Sequence, residues 1–469
     1  MSRPFRVALV HPCIGRTPGV PYIKTWQMEP LPLGVLAGLT PPDVDVRLHD
    51  DRMEDIPYDQ PADLVAISVE TYTARRAYQI ATEYRRRGVP VVMGGFHASL
   101  MPDEVARYAE AVVVGEAEQV WEELLDDFRA GAPKKWYVAE KRPKLIRSTP
   151  DRRLYAGKRY LPIGLVEVGR GCAFKCEFCA VQTVFKRTQT RRPHADVLAE
   201  LASLKDERRL FFFVDDNFAT HPNATKEFLR ELAPLKLRWV SQMAIPAAHD
   251  EEMLELMARS GCMGVLIGFE SLEPANLAKM DKSFNTMGSG FAGALANLRK
   301  HHIRVYGTFV FGYDDDHPGS FDQAVDFATE HAMYIAAFNH LTPFPGTPLY
   351  TRLQAEGRLA YDAWWLDPDY RYNGVPFRPI GMSAEQVERG CIGARAKFYS
   401  RRNILKRGFD KVNRSDWLMW RAFWLINQLH RADVRLRNRW PLGDVGFDQP
   451  LLEAPEFEPR VARSAPLEG

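Results

Sequence analysis

Three cysteines, Cys172, Cys176 and Cys179, stand in the run Gly171-Cys172-Ala173-Phe174-Lys175-Cys176-Glu177-Phe178-Cys179. Their C-x-x-x-C-x-x-C spacing closes a tight loop, and half of the chain's six cysteines fall within it. Such a loop is suited to hold something inorganic. A four-iron, four-sulfur cluster normally takes four cysteine ligands, so three thiolates would leave one iron open to a substrate or cofactor. Tetrahedral zinc would want a fourth protein ligand, and His194 lies outside the compact pairings of structural zinc sites. A disulfide framework fits less well, because Cys13, Cys262 and Cys391 are scattered and no secretory signal precedes them. Buried, inert cysteines are the remaining alternative, against which Gly171 and Lys175 mark a loop and not a packed strand.

The elements that must position this loop are read from length and pattern. The 469 residues suffice for two to four domains and a sizeable core. Lys plus Arg number 62 against 60 Asp plus Glu, so bulk charge gives no sign of a nucleic-acid partner. The start, Met1 to Arg6 followed by the apolar run Val7 to Val10 and His11-Pro12, is too short and abrupt for a signal peptide. A cytoplasmic location is expected, which also suits reduced thiols. No stretch approaches the ~20 apolar residues of a membrane span. The run from Trp417 to Ile426 is half a span at most, with basic residues following from Arg431. It reads either as an interfacial helix, placing the protein peripherally on the inner membrane, or as a core helix capping a barrel.

Two alternations of strand and helix are expected. Residues 1–130 carry strands at Val7–Val10, Val44–Leu48, Leu64–Val69, Val89–Met93 and Ala111–Val114, a Rossmann-like α/β pattern. Ligands of such sheets bind beyond the carboxyl ends of the strands, here around Ser68 to Thr73 and Gly94-Gly95-Phe96-His97. Residues 131–160 read as a linker. Residues 161–379 carry six further strands, at Leu165–Val168, Leu210–Val214, Arg238–Met243, Gly264–Gly268, Val305–Phe311 and Ile335–Leu341, which suggest a partial (β/α)6 barrel. The cysteine loop follows the first of them, where barrel enzymes carry their chemistry. Residues 380–443 read as a helical region and 444–469 as a disordered tail. Aromatic residues crowd the last third, including Trp364, Trp365, Tyr370 and Trp440, to line an apolar channel or to pack the final helices.

The cysteine motif, with Phe178 before its last cysteine, resembles the signature of the radical S-adenosylmethionine (radical SAM) enzymes. Four further segments resemble, in order, those of members that carry an N-terminal cobalamin-binding domain: Phe213-Val214-Asp215-Asp216-Asn217-Phe218, Gly268-Phe269-Glu270-Ser271, Gly307-Thr308-Phe309-Val310-Phe311-Gly312 and Pro343-Phe344-Pro345-Gly346-Thr347-Pro348. The resemblance implies a 4Fe-4S cluster on the three cysteines and S-adenosyl-L-methionine on its open iron, cleaved to a deoxyadenosyl radical. It implies Phe178, Asp215, Asp216, Gln242, Glu270, Ser271 and Gly312 around that cofactor. It also implies cobalamin over Ser68, Gly94, Gly95, His97, Gly115 and Glu116, and an electron donor such as flavodoxin or ferredoxin. The D-x-H-x-x-G motif of cobalamin mutases is replaced by Asp51-Arg52-Met53-Glu54-Asp55-Ile56, which leaves cobalt without an obvious lower ligand. The expected reaction is methylation of an unactivated carbon of a hydrophobic or natural-product substrate. A radical oxidative cyclase or carbon-carbon coupling enzyme is the alternative, and a non-catalytic iron-sulfur sensor is the reading from another class.

Overall fold

Short runs of β-branched residues, each followed by a helix, build two six-stranded sheets in which every strand is parallel to its neighbours. The structure is a computed structural model that describes residues 3–23, 27–145, 148–436 and 438–454. The sixteen strands are β1 (Phe5–His11), β2 (Gly15–Arg16), β3 (Val44–Asp50), β4 (Leu64–Ser68), β5 (Val91–Gly94), β6 (Ala111–Val114), β7 (Trp136–Val138), β8 (Gly164–Val166), β9 (Gly169–Gly171), β10 (Gln189–Arg191), β11 (Phe211–Phe213), β12 (Trp239–Gln242), β13 (Cys262–Glu270), β14 (Arg304–Phe311), β15 (Ile335–His340) and β16 (Gly443–Asp444).

The first sheet runs β3-β1-β4-β5-β6-β7. Val7 to Val10 and Leu64 to Ile67 are buried on both faces, as a parallel strand between helix layers must be. The chain passes from β1 to β3 on one side and then crosses back to β4 on the other, so the strand order reverses at the carboxyl ends of β1 and β4. Strand β7 comes from the stretch expected to be linker. Its three residues are too few to show a period in the sequence.

The second sheet runs β8-β11-β12-β13-β14-β15 and stays open, a partial barrel. Its outward residues, such as Phe213, Trp239, Ile267, Phe309 and Phe338, are buried against the helices. The alternate, inward residues Phe212, Val240, Leu266, Thr308, Val310 and Ala337 are only half-buried. The lumen is therefore hollow, unlike the packed interior of a closed barrel.

Helices close the barrel's amino-terminal end. Arg238, just before β12, pairs with Asp416 at 3.2 Å, and Arg304 at the start of β14 donates to Ser415 Oγ at 2.8 Å. Met419 and Phe423 of the helix Trp417–Leu436 are buried against Tyr334 and Ile404. No helix among the described residues is long and apolar enough to cross a membrane.

The chain then returns to its beginning. Strand β16 pairs with β2, Trp440 Nε1 donates to Gly15 O at 2.8 Å, and Asp444 N donates to Gln79 Oε1 at 2.7 Å. Leu452 N reaches Thr82 Oγ1 at 3.0 Å. Residues 444–454, expected to be disordered, thus run along the helix Ala74–Arg86, whose polar face supplies the partners that a composition count overlooks. Residues 455–469 lie outside the described residues. Trp364, Trp365 and Tyr370 are 1% exposed and join the core beneath the first sheet, so these aromatics fasten the two sheets' domains together and line no channel.

Candidate functional site

The cysteine loop leaves the hairpin of β9 and β10, which pair antiparallel with Gly171 opposite Gln189. Gly171 has φ +101°, and a Cβ there would lie 2.1 Å from Thr188 O, so only glycine lets the hairpin close this tightly. Asp216 accepts the Gly171 N–H at 2.7 Å and so sets the angle at which the loop departs. Cys179 precedes the helix Ala180–Phe185. On its far side the loop is pinned to residues 280–284. Glu177 N donates to Met280 O at 3.2 Å, Lys175 pairs with Asp281 at 2.9 Å, and the rings of Phe174 and Phe284 stack at 4.1 Å.

All three thiols are free, with Cys176 buried and the other two half-buried. Burial pushes the Cys176 thiol up to about 12 and raises that of Cys179. A bound cation would favour the thiolate form of Cys176 and Cys179 against that burial, and iron suits a set of sulfur ligands. Among the described residues no three His, Cys, Asp or Glu side chains converge on a single ion. A cluster asks for a different arrangement, one thiolate for each of three irons. His194 is occupied elsewhere, 3.1 Å from Glu231 and edge-on to Phe228.

Glu270 closes β13 at a register shift, in the left-handed region at φ +63°. That strained turn brings its carboxylate to the Lys282 ammonium at 2.7 Å. A Cβ on Gly268 would lie 2.1 Å from Glu270 Oε1, so the glycine makes room for the pair. Lys282 Nζ sits 5.9 Å from the centroid of Phe178, and its charge is felt by Cys176. A buried carboxylate and ammonium beside the cysteines match the two ends of an amino acid. Gln242, half-buried at the carboxyl end of β12, faces the same space. Ser271 and Gly312 have partners within the protein. Ser271 Oγ accepts Glu273 N at 3.1 Å, and Gly312 N donates to Asp316 at 2.8 Å.

Asp215 is not placed to touch a cofactor. It is fully buried and accepts Val168 N at 2.8 Å, and burial pushes its carboxyl up to about 7. Its neighbour Asn217 is the residue the sequence quoted without a role. Asn217 Nδ2 lies 3.7 Å from Cys172 Sγ while its Oδ1 accepts Ala244 N at 3.1 Å. Lys282, on a loop with no repeating pattern, left no signal to be read.

At the first sheet's carboxyl edge, Ser68, Gly94, Gly95 and Gly115 stand at the ends of β4, β5 and β6. The glycines are required by the protein's own packing. A Cβ on Gly95 would meet Val69 O at 2.8 Å, and one on Gly115 would meet Ala139 at 3.2 Å. His97 is fully buried with both ring nitrogens engaged, by Thr71 Oγ1 at 3.2 Å and Glu104 at 3.0 Å, so it offers no nitrogen to cobalt. Glu116 faces the barrel, held by Arg142 and by Arg170 at 3.0 Å. Arg170 lies two residues before Cys172, so this carboxylate ties the first domain's edge to the cysteine hairpin. Glu70 follows β4 at the switch point and caps the short turn Thr71–Thr73.

A doubly wound sheet is thus followed by an open parallel barrel with three cysteines after its first strand. Residues 166–328 match the family model of the Radical SAM superfamily, and residues 36–125 match that of the B12 binding domain. The chain is 32% identical over 413 residues to the bacteriochlorophyllide d C-12(1)-methyltransferase of Chlorobaculum tepidum, covering 86% of this chain and 89% of that one. It is 26% identical over 395 residues to the hopanoid C-2 methylase of Rhodopseudomonas palustris, covering 81% and 73%. Its fold is similar to that of the radical S-adenosylmethionine methyltransferase TsrM of Kitasatospora setae, with a TM-score of 0.63 at 20% identity over 92% of this chain and 100% of that one. The chain belongs to the cobalamin-binding radical SAM methyltransferases. Its cofactors are a 4Fe-4S cluster, S-adenosyl-L-methionine and cobalamin.

Proposed function

We propose that this enzyme methylates an unactivated carbon of a large apolar molecule, of tetrapyrrole or polyisoprenoid kind. The hollow lumen is the observation that carries this reading. Its half-buried lining of Phe212, Val240, Leu266, Val310 and Ala337 is apolar, with Thr308, Gln242 and exposed Asn339 as polar markers. The relatives named for bacteriochlorophyllide and hopanoid methylation support a rigid, mostly hydrocarbon substrate.

When bound, the cofactors supply reductive cleavage of a sulfonium and a transferable methyl group. The chain's own residues hold and orient. Cys172, Cys176 and Cys179 would ligate the cluster, with Asn217 beside Cys172. Glu270 and Lys282 would take the ammonium and carboxylate of S-adenosyl-L-methionine. Asp216 and Glu116 fix the hairpin that carries the loop. The electron is proposed to come from a flavodoxin or ferredoxin.

Anaerobic turnover with methyl-deuterated S-adenosyl-L-methionine and bacteriochlorophyllide d or a hopanoid tests the proposal. A deuteromethylated product, formed with equal amounts of 5'-deoxyadenosine and S-adenosylhomocysteine, is expected. Deoxyadenosine with a ring-closed product and no S-adenosylhomocysteine would instead establish a cyclase, the activity named for a relative in Cereibacter sphaeroides that is 24% identical.

A further inference from the structure

The two helices that close the barrel's amino-terminal end, Arg401–Gly408 and Trp417–Leu436, each bury one face and leave the other bare. Ile404, Arg407, Met419, Phe423 and Asn427 point inward. On the outer face Leu405 is 52% exposed, Phe409 58%, Trp417 56% and Leu425 63%. These four are among the few large apolar side chains so exposed in the described residues, and they lie on or beside two helices that pack against each other. Leu405 and Phe409 are one turn apart, the Phe409 ring meets Trp424 at 5.7 Å, and Trp417, Trp424 and Leu425 share one stripe at helical spacing.

The charge around this stripe has one sign. Arg401, Arg402, Lys406, Lys411, Arg414, Arg421 and Arg431 are exposed. The carboxylates of the same stretch are withdrawn. Asp410 pairs with Arg299 at 2.9 Å, Asp416 pairs with Arg238, and Asp433 is buried. The chain as a whole is balanced, so the cations are concentrated here. Apolar side chains bare to solvent and set among cations are complementary to one surface, hydrocarbon beneath anionic headgroups.

We propose that this face docks peripherally on an anionic lipid bilayer, with Phe409, Trp417 and Leu425 entering the headgroup boundary and the surrounding Arg and Lys side chains pairing with lipid phosphates. The cluster loop follows β9, beyond the carboxyl end of β8, so docking through the barrel's other end leaves the mouth and the first domain clear. The inference stands independently of the substrate reading.

The test is co-sedimentation of the full chain with phosphatidylcholine vesicles, with and without a third of phosphatidylglycerol, with tryptophan emission recorded in parallel. Binding to the anionic vesicles alone, released by salt and accompanied by a blue shift, is expected. The pair Trp417→Ser and Leu425→Ser should abolish the blue shift. The pair Lys406→Glu and Arg421→Glu should weaken binding roughly tenfold or more. These side chains are exposed, so the melting temperature should stay unchanged. Equal binding to neutral vesicles, no binding, or unaltered binding by either pair would overturn the proposal. Retention on heparin with no affinity for vesicles would overturn it in favour of a soluble polyanion.

Discussion

Arg352 grips Glu177 with two hydrogen bonds, Nε to Oε1 at 2.6 Å and a terminal nitrogen to Oε2 at 3.1 Å. Glu177 stands between the second and third cysteines, and Tyr313, just beyond β14, donates to the same carboxylate at 2.9 Å. Two elements far apart in sequence thus brace the loop from behind. Replacing Arg352 by Leu removes a charged clamp worth about 2 kcal/mol, and the reconstituted protein should lose iron to a chelator several times faster than wild type. Unchanged iron release in R352L would show that the loop needs no such brace.

Asp215 makes stability depend on pH. Its folded carboxyl, at about 7, titrates above the ordinary value of 3.8, because burial disfavours the charged form. A raised acid binds its proton more tightly when folded, so the cost of ionising it is absent below pH ~4, grows between pH ~4 and 7, and is complete above 7. Asp215→Asn carries no such cost and keeps an oxygen for Val168 N. Its melting temperature should therefore exceed that of wild type by several degrees at pH 8, with the gap narrowing at pH 5. A gap that is constant with pH would refute the assignment.

Lys282→Met leaves the Glu270 carboxylate buried beside the cysteines with no counter-charge. Such a group is neutralised or displaced, and either outcome spoils recognition of an amino-acid zwitterion. Equilibrium dialysis of the cluster-loaded protein should show S-adenosyl-L-methionine binding weakened by at least tenfold, with iron content near wild type. Binding that is undiminished would separate Lys282 from the cofactor.

Trp440 and β16 hold the first domain from outside it. Ending the chain after residue 438 strips Gln79, Thr82 and Gly15 of their partners and uncovers the core beneath Tyr370. Differential scanning calorimetry should show the first domain melting earlier and apart from the barrel. A single transition at the wild-type temperature would mean that the strap adds nothing.

The strands of both sheets were legible because each is a run of β-branched or aromatic residues next to a recognisable helix. What escaped had its cause elsewhere in the chain. Strand β7 has three residues, the hairpin of β9 and β10 is glycine- and arginine-rich, and β2 finds its partner more than 400 residues away. The cysteines drew notice by their spacing, and Glu270 by its place after an apolar strand. Asp215 was misread because position at a strand end does not say which way a side chain turns. It turned inward, to the backbone of β8 and β9. Lys282 and Arg352 were invisible, since each meets its carboxylate partner, Glu270 or Glu177, through the fold and not through a motif.

The pairing of Gly15 with Gly443 also orders events in time. Strand β2 waits for the more than 400 residues that follow it before its partner exists. So distant a contact is slow to form, and the edge of the first domain beside it is complete only after residue 444 has been made. A product lacking β16 would leave β2 without its partner and the edge of the first domain unsealed.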